Sequence, residues 1–393
     1  MRETVRVCVP RFLQVGKGSL GHVADILATI GTAKYPLIVT DKFMASHGIV
    51  DRVRDHLASA DIRCGVFDET IPDPTDEVVH AGIDALVAGN HDSVIGLGGG
   101  SPIDTAKAIA VMAPHGRDLM KYRPPNETDV AGLAMIAIPT TAGTGSEVTH
   151  HTVIVHAETR EKISCRGEAF VPTAAIVDYE LTLSKPKRLI ADNALDTLTH
   201  AIEGFVSKKS AAFSDRMALD CMRLVGQYLD RAYGDPDDAE AREHLMLAAT
   251  LGGLAFSNAS ICLVHAMSRP LGSLFHVPHG MSNAMLLPTV TKFSLEPALD
   301  RYADCGRATG LADFADDDKT AARKLVDGLY AYNARLDVPS MASFGIDPAE
   351  FDSELDQMAD DALRSGAPSN NPRIPDKEEI KDLFREAWSV GGP

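Results

Sequence analysis

Short apolar runs alternate with longer amphipathic stretches along the first half of the chain. YPLIVTD (35–41), IRCGVFD (62–68) and DSVIGLGGG (92–100) are rich in β-branched residues and end in turn formers, which predicts strands. SHGIVDRVRDHLASA (46–60) and the stretch through 77–89 space their apolar residues as helices do. Strand and helix in turn imply βαβ units and a mostly parallel sheet, which MIAIPTT and AAIVDYE extend to about residue 180. After LTLSKPKRLI the strand-like runs stop. ALDTLTHAIEGFVS, SDRMALDCMRLVGQYLDRAYG, AEAREHLMLAATLGGLAFS and the segments through 323–335 all read as helices. The pattern predicts an α/β domain over 1–185 and an all-helical domain over 186–393, with the active site in the cleft between them. LRSGAPSNNPRIPDKEE, near the end, reads as a surface loop before a last helix, and no internal repeat is evident.

Composition narrows the partners. The 393 residues, 45 % of them hydrophobic, are ample for two packed domains. A net charge of −17 repels polyanions, which excludes nucleic acid and anionic membrane as general partners. No apolar run approaches the roughly 20 residues that span a bilayer, and MRETVRVCVPRFLQ lacks the apolar core of a signal peptide, so the expected compartment is the cytoplasm. The six cysteines form no C-x-x-C pair, which leaves histidine and carboxylate as the donors for any metal.

Two glycine loops compete for a nucleotide. GKGSLG (16–21) fits G-x-G-x-x-G, and Asp41 follows its last glycine by twenty residues, as in the dinucleotide fingerprint. VIGLGGGSPIDTAKAIAVMA has the better mechanics. A buried strand enters Gly98, Gly99 and Gly100, and Ser101 and Pro102 are expected as N-cap and first residue of a helix whose free amides attract a pyrophosphate. Asp41, at the end of its strand, either accepts hydrogen bonds from an adenosine ribose, favouring NAD over NADP, or caps the next helix. IPTTAGTGSEVT (138–149) offers hydroxyls and exposed backbone amides for a phosphate or a carboxamide.

In NALDTLTHAIEGF, Asp196 and His200 are four apart and project from one helix face. LVHAMSRPLGSLFHVPHG adds three histidines, of which His265 and His279 flank a rigid turn while His276 is the odd one out. Three imidazoles and one carboxylate suit Fe²⁺ or Zn²⁺ rather than Mg²⁺ or Ca²⁺.

GLGGGSPIDTAKA, IPTTAGTGSEVT, ALDTLTHAIE, AFSNASICLVHAMSRPLG, PHGMSNAMLLP and SNNPR occur in this order, and together they resemble the iron-containing (group III) alcohol dehydrogenases. The resemblance implies a dinucleotide-binding α/β domain followed by a helical domain, and an NAD-linked, metal-dependent oxidoreductase that interconverts a small alcohol and its aldehyde as a homodimer. It implies that Asp196, His200, His265 and His279 hold the metal, and it places the pyrophosphate on Gly98, Gly99, Gly100 and Ser101. Asp104, Thr140, Thr141, Thr144, Ser146 and Lys162 join the expected cofactor residues, while Phe256 and Arg269 join the catalytic ones.

The chain departs from the family pattern at Arg269, where a second histidine is usual, at Asn193-Ala194-Leu195-Asp196 in place of T-G-x-D, and at Pro72-Asp73-Pro74-Thr75 in place of PNPT. Arginine stays protonated and is a poor general acid or base, so Arg269 reads as a fixed cation for the cofactor, for an anionic substrate tail, or for a neighbouring acid. It lies four residues after His265, with Pro270 expected to restrain a continuing helix. Three alternatives stand beside the dehydrogenase reading: a metal- and NAD-dependent lyase of the dehydroquinate synthase type, a glycerol-type polyol dehydrogenase, and a noncatalytic sensor.

Overall fold

A computed structural model describes residues 4–388. The backbone divides into two compact units, residues 7–184 and residues 185 onward, and residues 4–6 group with the second.

The first unit holds eight strands: β1 (Phe12–Val15), β2 (Pro36–Val39), β3 (Gly65–Phe67), β4 (Ser93–Gly98), β5 (Ala134–Pro139), β6 (His151–His156), β7 (Glu161–Arg166) and β8 (Ala174–Val177). Six form a wholly parallel sheet in the order β1-β8-β5-β4-β2-β3. Side chains alternate across a pleated strand. Leu37, Val39 and Val94 therefore enter one apolar core, while Ile38, Ile95 and Leu97 enter the other, and helices cover both faces.

The order of the strands also places a ligand crevice. The chain leaves β2 toward β3 on one side and leaves β4 toward β5 on the other, so connections diverge between the carboxyl ends of β2 and β4. Open parallel sheets bind ligands at such a switch point. Asp41 follows β2 there, and the loop Gly98–Ser101 follows β4.

The antiparallel hairpin β6–β7 is outside the sequence-based expectation. Its strands, HTVIVH and EKISCR, mix charged and apolar residues, and only one face is buried.

The second unit is helical. Long helices at Lys187–Val206, Ala212–Gly234, Ala239–Ser257, Leu263–Phe275, His279–Ser294, Asp318–Arg335 and Pro348–Arg364 surround one large apolar core. The helix from Leu263 runs straight through Pro270 to Phe275, contrary to the expected restraint. The polar stretch near the end is also not a simple surface loop. Asn371 is buried and donates to Ser294 Oγ (2.9 Å) and the Arg373 carbonyl (2.7 Å), while Asn370 donates to Ser260 Oγ (2.8 Å). The last helix, Lys377–Ala387, follows as expected. Among the described residues no helix is long and apolar enough to cross a membrane.

Candidate active site

In the α/β unit, β4 ends at Gly98 with φ +147°, a backbone that L side chains rarely adopt. A Cβ there would also lie 2.6 Å from Pro102 Cγ. The helix begins two residues earlier than expected: Gly99 is the N-cap, Gly100–His115 the helix, and Ser101 and Pro102 lie within its first turn. Ser101 could not cap because the chain already turns helical at Gly100.

Across from this terminus lies the loop after β5. The Thr140 amide donates to the Gly98 carbonyl at 2.8 Å. A Cβ on Gly99 would meet Thr141 at 3.5 Å, and one on Gly100 would meet Thr144 Cγ2 at 3.1 Å. Side chains in place of these glycines would fill a cradle that already has free helix amides on one wall. The hydroxyls of Thr140 and Thr141 are buried without a hydrogen-bond partner. Unpaired buried hydroxyls cost stability unless a ligand satisfies them, so the cradle fits a dinucleotide pyrophosphate and its carboxamide end.

The other residues expected around the cofactor have defined places. Asp104 is directed into the protein, where its carboxylate accepts from the Val153 amide (2.9 Å) and Ser146 Oγ (3.2 Å). Burial raises its pKa against the pull of Lys107. Lys107, not singled out from the sequence, is buried and donates to the Thr149 carbonyl and hydroxyl (2.8 Å each) and to the His151 carbonyl (2.7 Å). Its burial pushes the ammonium pKa down to about 8, although Asp104 and Glu147 oppose the shift. This pair, three residues apart on one helix, pins the 140–149 loop and β6 to the helix that carries the glycines. Lys162 donates to Asp73 at 2.7 Å from β7. Asp41 caps the short helix Lys42–Ser46, accepting from the Met44 amide at 2.9 Å.

In the helical unit, Asp196, His200, His265 and His279 converge. One donor atom from each lies within 4.8 Å of all the others. From Asp196 Oδ1 the imidazole Nε2 atoms stand at 3.5 Å (His279), 3.6 Å (His265) and 4.0 Å (His200). These are longer than hydrogen bonds, which peak near ~2.9 Å. They approach the separation of about 3.4 Å between two ligands of one tetrahedral ion with bonds of about 2.1 Å. The buried Nε2 of His265 has no hydrogen-bond partner, so a cation ligated there would satisfy it. The donor set therefore fits Fe²⁺ or Zn²⁺.

Geometry beyond the ligands supports the same reading. Glu203 lies seven residues after Asp196 and three after His200, on the same helix face. Its Oε2 is 2.6 Å from His265 Nδ1 and accepts from the Cys262 amide at 2.8 Å, while Oε1 accepts from the Val264 amide at 2.6 Å. A carboxylate can only accept here, so His265 carries a proton on Nδ1 and turns Nε2 toward Asp196. The same carboxylate satisfies amides at the start of the helix that carries His265. Asn283, one turn after His279, donates to Asp196 Oδ1 at 2.7 Å. Burial alone would lower the His265 pKa, but Glu203 and Asp196 raise it to about 9. Burial would raise that of Asp196, yet the surrounding histidines hold it well below the carboxylate range.

Packing holds the remaining pieces. The Phe256 ring stacks on His200 at 4.3 Å between centroids, so it orients a ligand. Gly280 lets the helix from His279 approach the Asp192 carbonyl, which a Cβ would strike. His276 is neither a ligand nor a core residue. It is exposed and closes the Leu263–Phe275 helix with φ +55°. His279 is 51 % exposed at its side chain, so the centre is open on that side. Glu203 and Asn283 were legible only as one-turn spacings from His200 and His279, a signal that many helices carry without any metal.

A parallel α/β unit with a glycine cradle at its switch point, together with a three-histidine, one-carboxylate centre in a helical unit, defines a metal-dependent dehydrogenase. Comparison with known proteins agrees. Residues 10–179 match the family model "Iron-containing alcohol dehydrogenase", and residues 190–388 match "Fe-containing alcohol dehydrogenase family, C-terminal". The chain belongs to the iron-containing alcohol dehydrogenase family. It is 34 % identical over 380 residues to the NAD-dependent methanol dehydrogenase of Bacillus methanolicus, covering 96 % of this chain and 98 % of that one. The crystal structure of a 1,3-propanediol oxidoreductase superposes with a TM-score of 0.94 at 32 % identity, over 98 % of this chain and 100 % of that one. Sulfoacetaldehyde reductase from Bifidobacterium kashiwanohense, in complex with NAD⁺, superposes at 0.86 with 27 % identity, over 99 % of this chain and 100 % of that one. These matches support the dehydrogenase reading and not the lyase alternative.

Proposed function

We propose that this chain interconverts a small primary alcohol and its aldehyde, passing hydride between the carbinol carbon and NAD(H). The observation that carries the reading is the convergence of Asp196, His200, His265 and His279, with Glu203 fixing the tautomer of His265. These four residues would hold a divalent ion, which would supply Lewis acidity toward the alcohol or carbonyl oxygen. Glu203 fixes Nδ1 of His265 as its hydrogen-bonded nitrogen and so leaves Nε2 facing the other ligands, Asn283 and Phe256 hold Asp196 and His200, and half-exposed His279 leaves an approach for substrate.

The α/β unit binds the dinucleotide. Gly98, Gly99, Gly100 and Ser101 receive the pyrophosphate at a helix N-terminus, and Thr140, Thr141, Thr144 and Ser146 line its path. Asp104 is a scaffold residue of that loop rather than a contact. Lys162, paired with Asp73, would have to exchange that partner to reach a ribose. Asp41 uses Oδ1 for its cap, and its charge at the switch point disfavours a 2′-phosphate, so NAD is preferred to NADP.

The relatives act, by their names, on methanol, 1,3-propanediol and sulfoacetaldehyde, so both neutral and anionic short substrates belong in the test. With iron-loaded protein and NAD, primary alcohols, diols and ω-hydroxy acids of graded length should yield NADH from at least one short primary alcohol. Absence of NADH from the whole series, with NAD bound, would refute the reading. Homodimerisation and a cytoplasmic location belong to the same proposal. Edge strand β1 exposes Leu13 and Val15, and Val7 and Val9 precede it exposed, an apolar strip that a second copy would cover. Six cysteines with no disulfide among them suit a reducing compartment. A monomeric mass in solution would contradict the dimer.

A further inference from the structure

The group left unexplained is Arg269. It follows His265 by four residues on an unbroken helix, so both side chains leave the same face about 6 Å apart along the axis. Helical side chains lean toward the N-terminus, which tilts Arg269 back toward His265. The guanidinium is partly buried and close enough to Glu203 to feel its charge. Glu203 is nevertheless not its partner: its carboxylate accepts from the Cys262 amide, the Val264 amide and His265 Nδ1, and makes no ion pair with the guanidinium. Among the described residues Arg269 has neither a hydrogen bond nor an ion pair. The neighbouring-acid use expected of it is therefore absent.

A planar cation with five donors, half-buried and without a protein partner one helical turn from a ligand histidine, is placed to receive an anion. It is the arrangement that a bidentate carboxylate, sulfonate or phosphonate completes. The protein's charge of −17 repels an anion at long range, so an anionic substrate needs a local cation. We propose that the substrate is a short ω-hydroxy acid, or the matching aldehyde acid, whose anionic tail is gripped by Arg269. The proposal rests on the dehydrogenase reading. The one-turn spacing suits about two to four carbons between hydroxyl and anion.

The test compares kcat/KM of the iron-loaded enzyme for ω-hydroxy carboxylates, sulfonates and phosphonates with neutral alcohols of equal length. In wild type the anionic series should lead. Arg269→Gln should lower the anionic-to-neutral ratio roughly 10- to 150-fold, and Arg269→Lys should restore part of it, because charge survives while the fork is lost. An unchanged ratio overturns the proposal, as does a shift in KM for NAD with the ratio intact, which assigns Arg269 to the cofactor. A second measurement needs no variant. Propane sulfonate should inhibit wild type competitively against the alcohol at least about tenfold more tightly than neutral propionamide, and equal inhibition overturns the proposal. If neutral alcohols reduce NAD without any anionic preference, this inference alone falls. If no alcohol reduces NAD, the dehydrogenase reading falls with it.

Discussion

Stripping the divalent metal from the purified protein with a chelator is expected to lower alcohol turnover by at least about a thousandfold, the equivalent of several kcal/mol of transition-state stabilisation. NAD should still bind. The glycine cradle is held by Asp104, Lys107 and the backbone pairing of Thr140 with Gly98, and none of these is a metal ligand. The checking measurements are steady-state turnover and calorimetric NAD binding on the same stripped sample, followed by readdition of Fe²⁺ or Zn²⁺. Recovery on readdition separates loss of the ion from loss of fold. A fully stripped enzyme that keeps its rate would mean that Asp196 and the three histidines serve packing.

The second large effect is expected from Glu203→Gln. The glutamate carboxylate accepts three hydrogen bonds, two from helix-start amides and one from His265 Nδ1. The isosteric amide has one accepting oxygen and presents N–H groups where an acceptor is needed. His265 loses the partner that sets its tautomer, and metal affinity should fall about 10- to 100-fold. Competition with a metal chelator measures this directly, with circular dichroism to show that the helices persist. Affinity within twofold of wild type in a folded variant would contradict the role given to Glu203.

Much of this architecture was legible from local pattern. The runs around β2, β4, β5 and β8 are continuous and apolar because the sheet is covered on both faces, and such runs stand out from their surroundings. Asp196 and His200 were legible as a spacing on one helix, and resemblance joined them to His265 and His279. What pattern could not deliver depends on distant partners. The β6–β7 hairpin buries one face and carries charge on the other, so its signal is diluted. Asn370 and Asn371 look like surface residues until Ser260 and Ser294 meet them. Ser101 has the side chain of an N-cap, but Gly98 and Gly99 bring the chain into the helix before it. Glu203 is invisible as a partner of His265 because 62 residues separate them. Arg269 shows the reverse case. Its departure from the family pattern was plain in the sequence, but only the structure shows that no acid among the described residues pairs with it.

The proposed reaction is hydride transfer from a carbinol carbon to the nicotinamide ring, dependent on a metal held by Asp196, His200, His265 and His279. Its most direct test uses a short primary alcohol deuterated at the carbinol carbon, with NAD and the iron-loaded enzyme, and reads the dinucleotide product by NMR. Deuterium should appear on the nicotinamide ring in one orientation, in step with aldehyde formation, and only with metal present. Reduced dinucleotide without deuterium, or label transfer at full rate in the metal-free protein, would contradict the account.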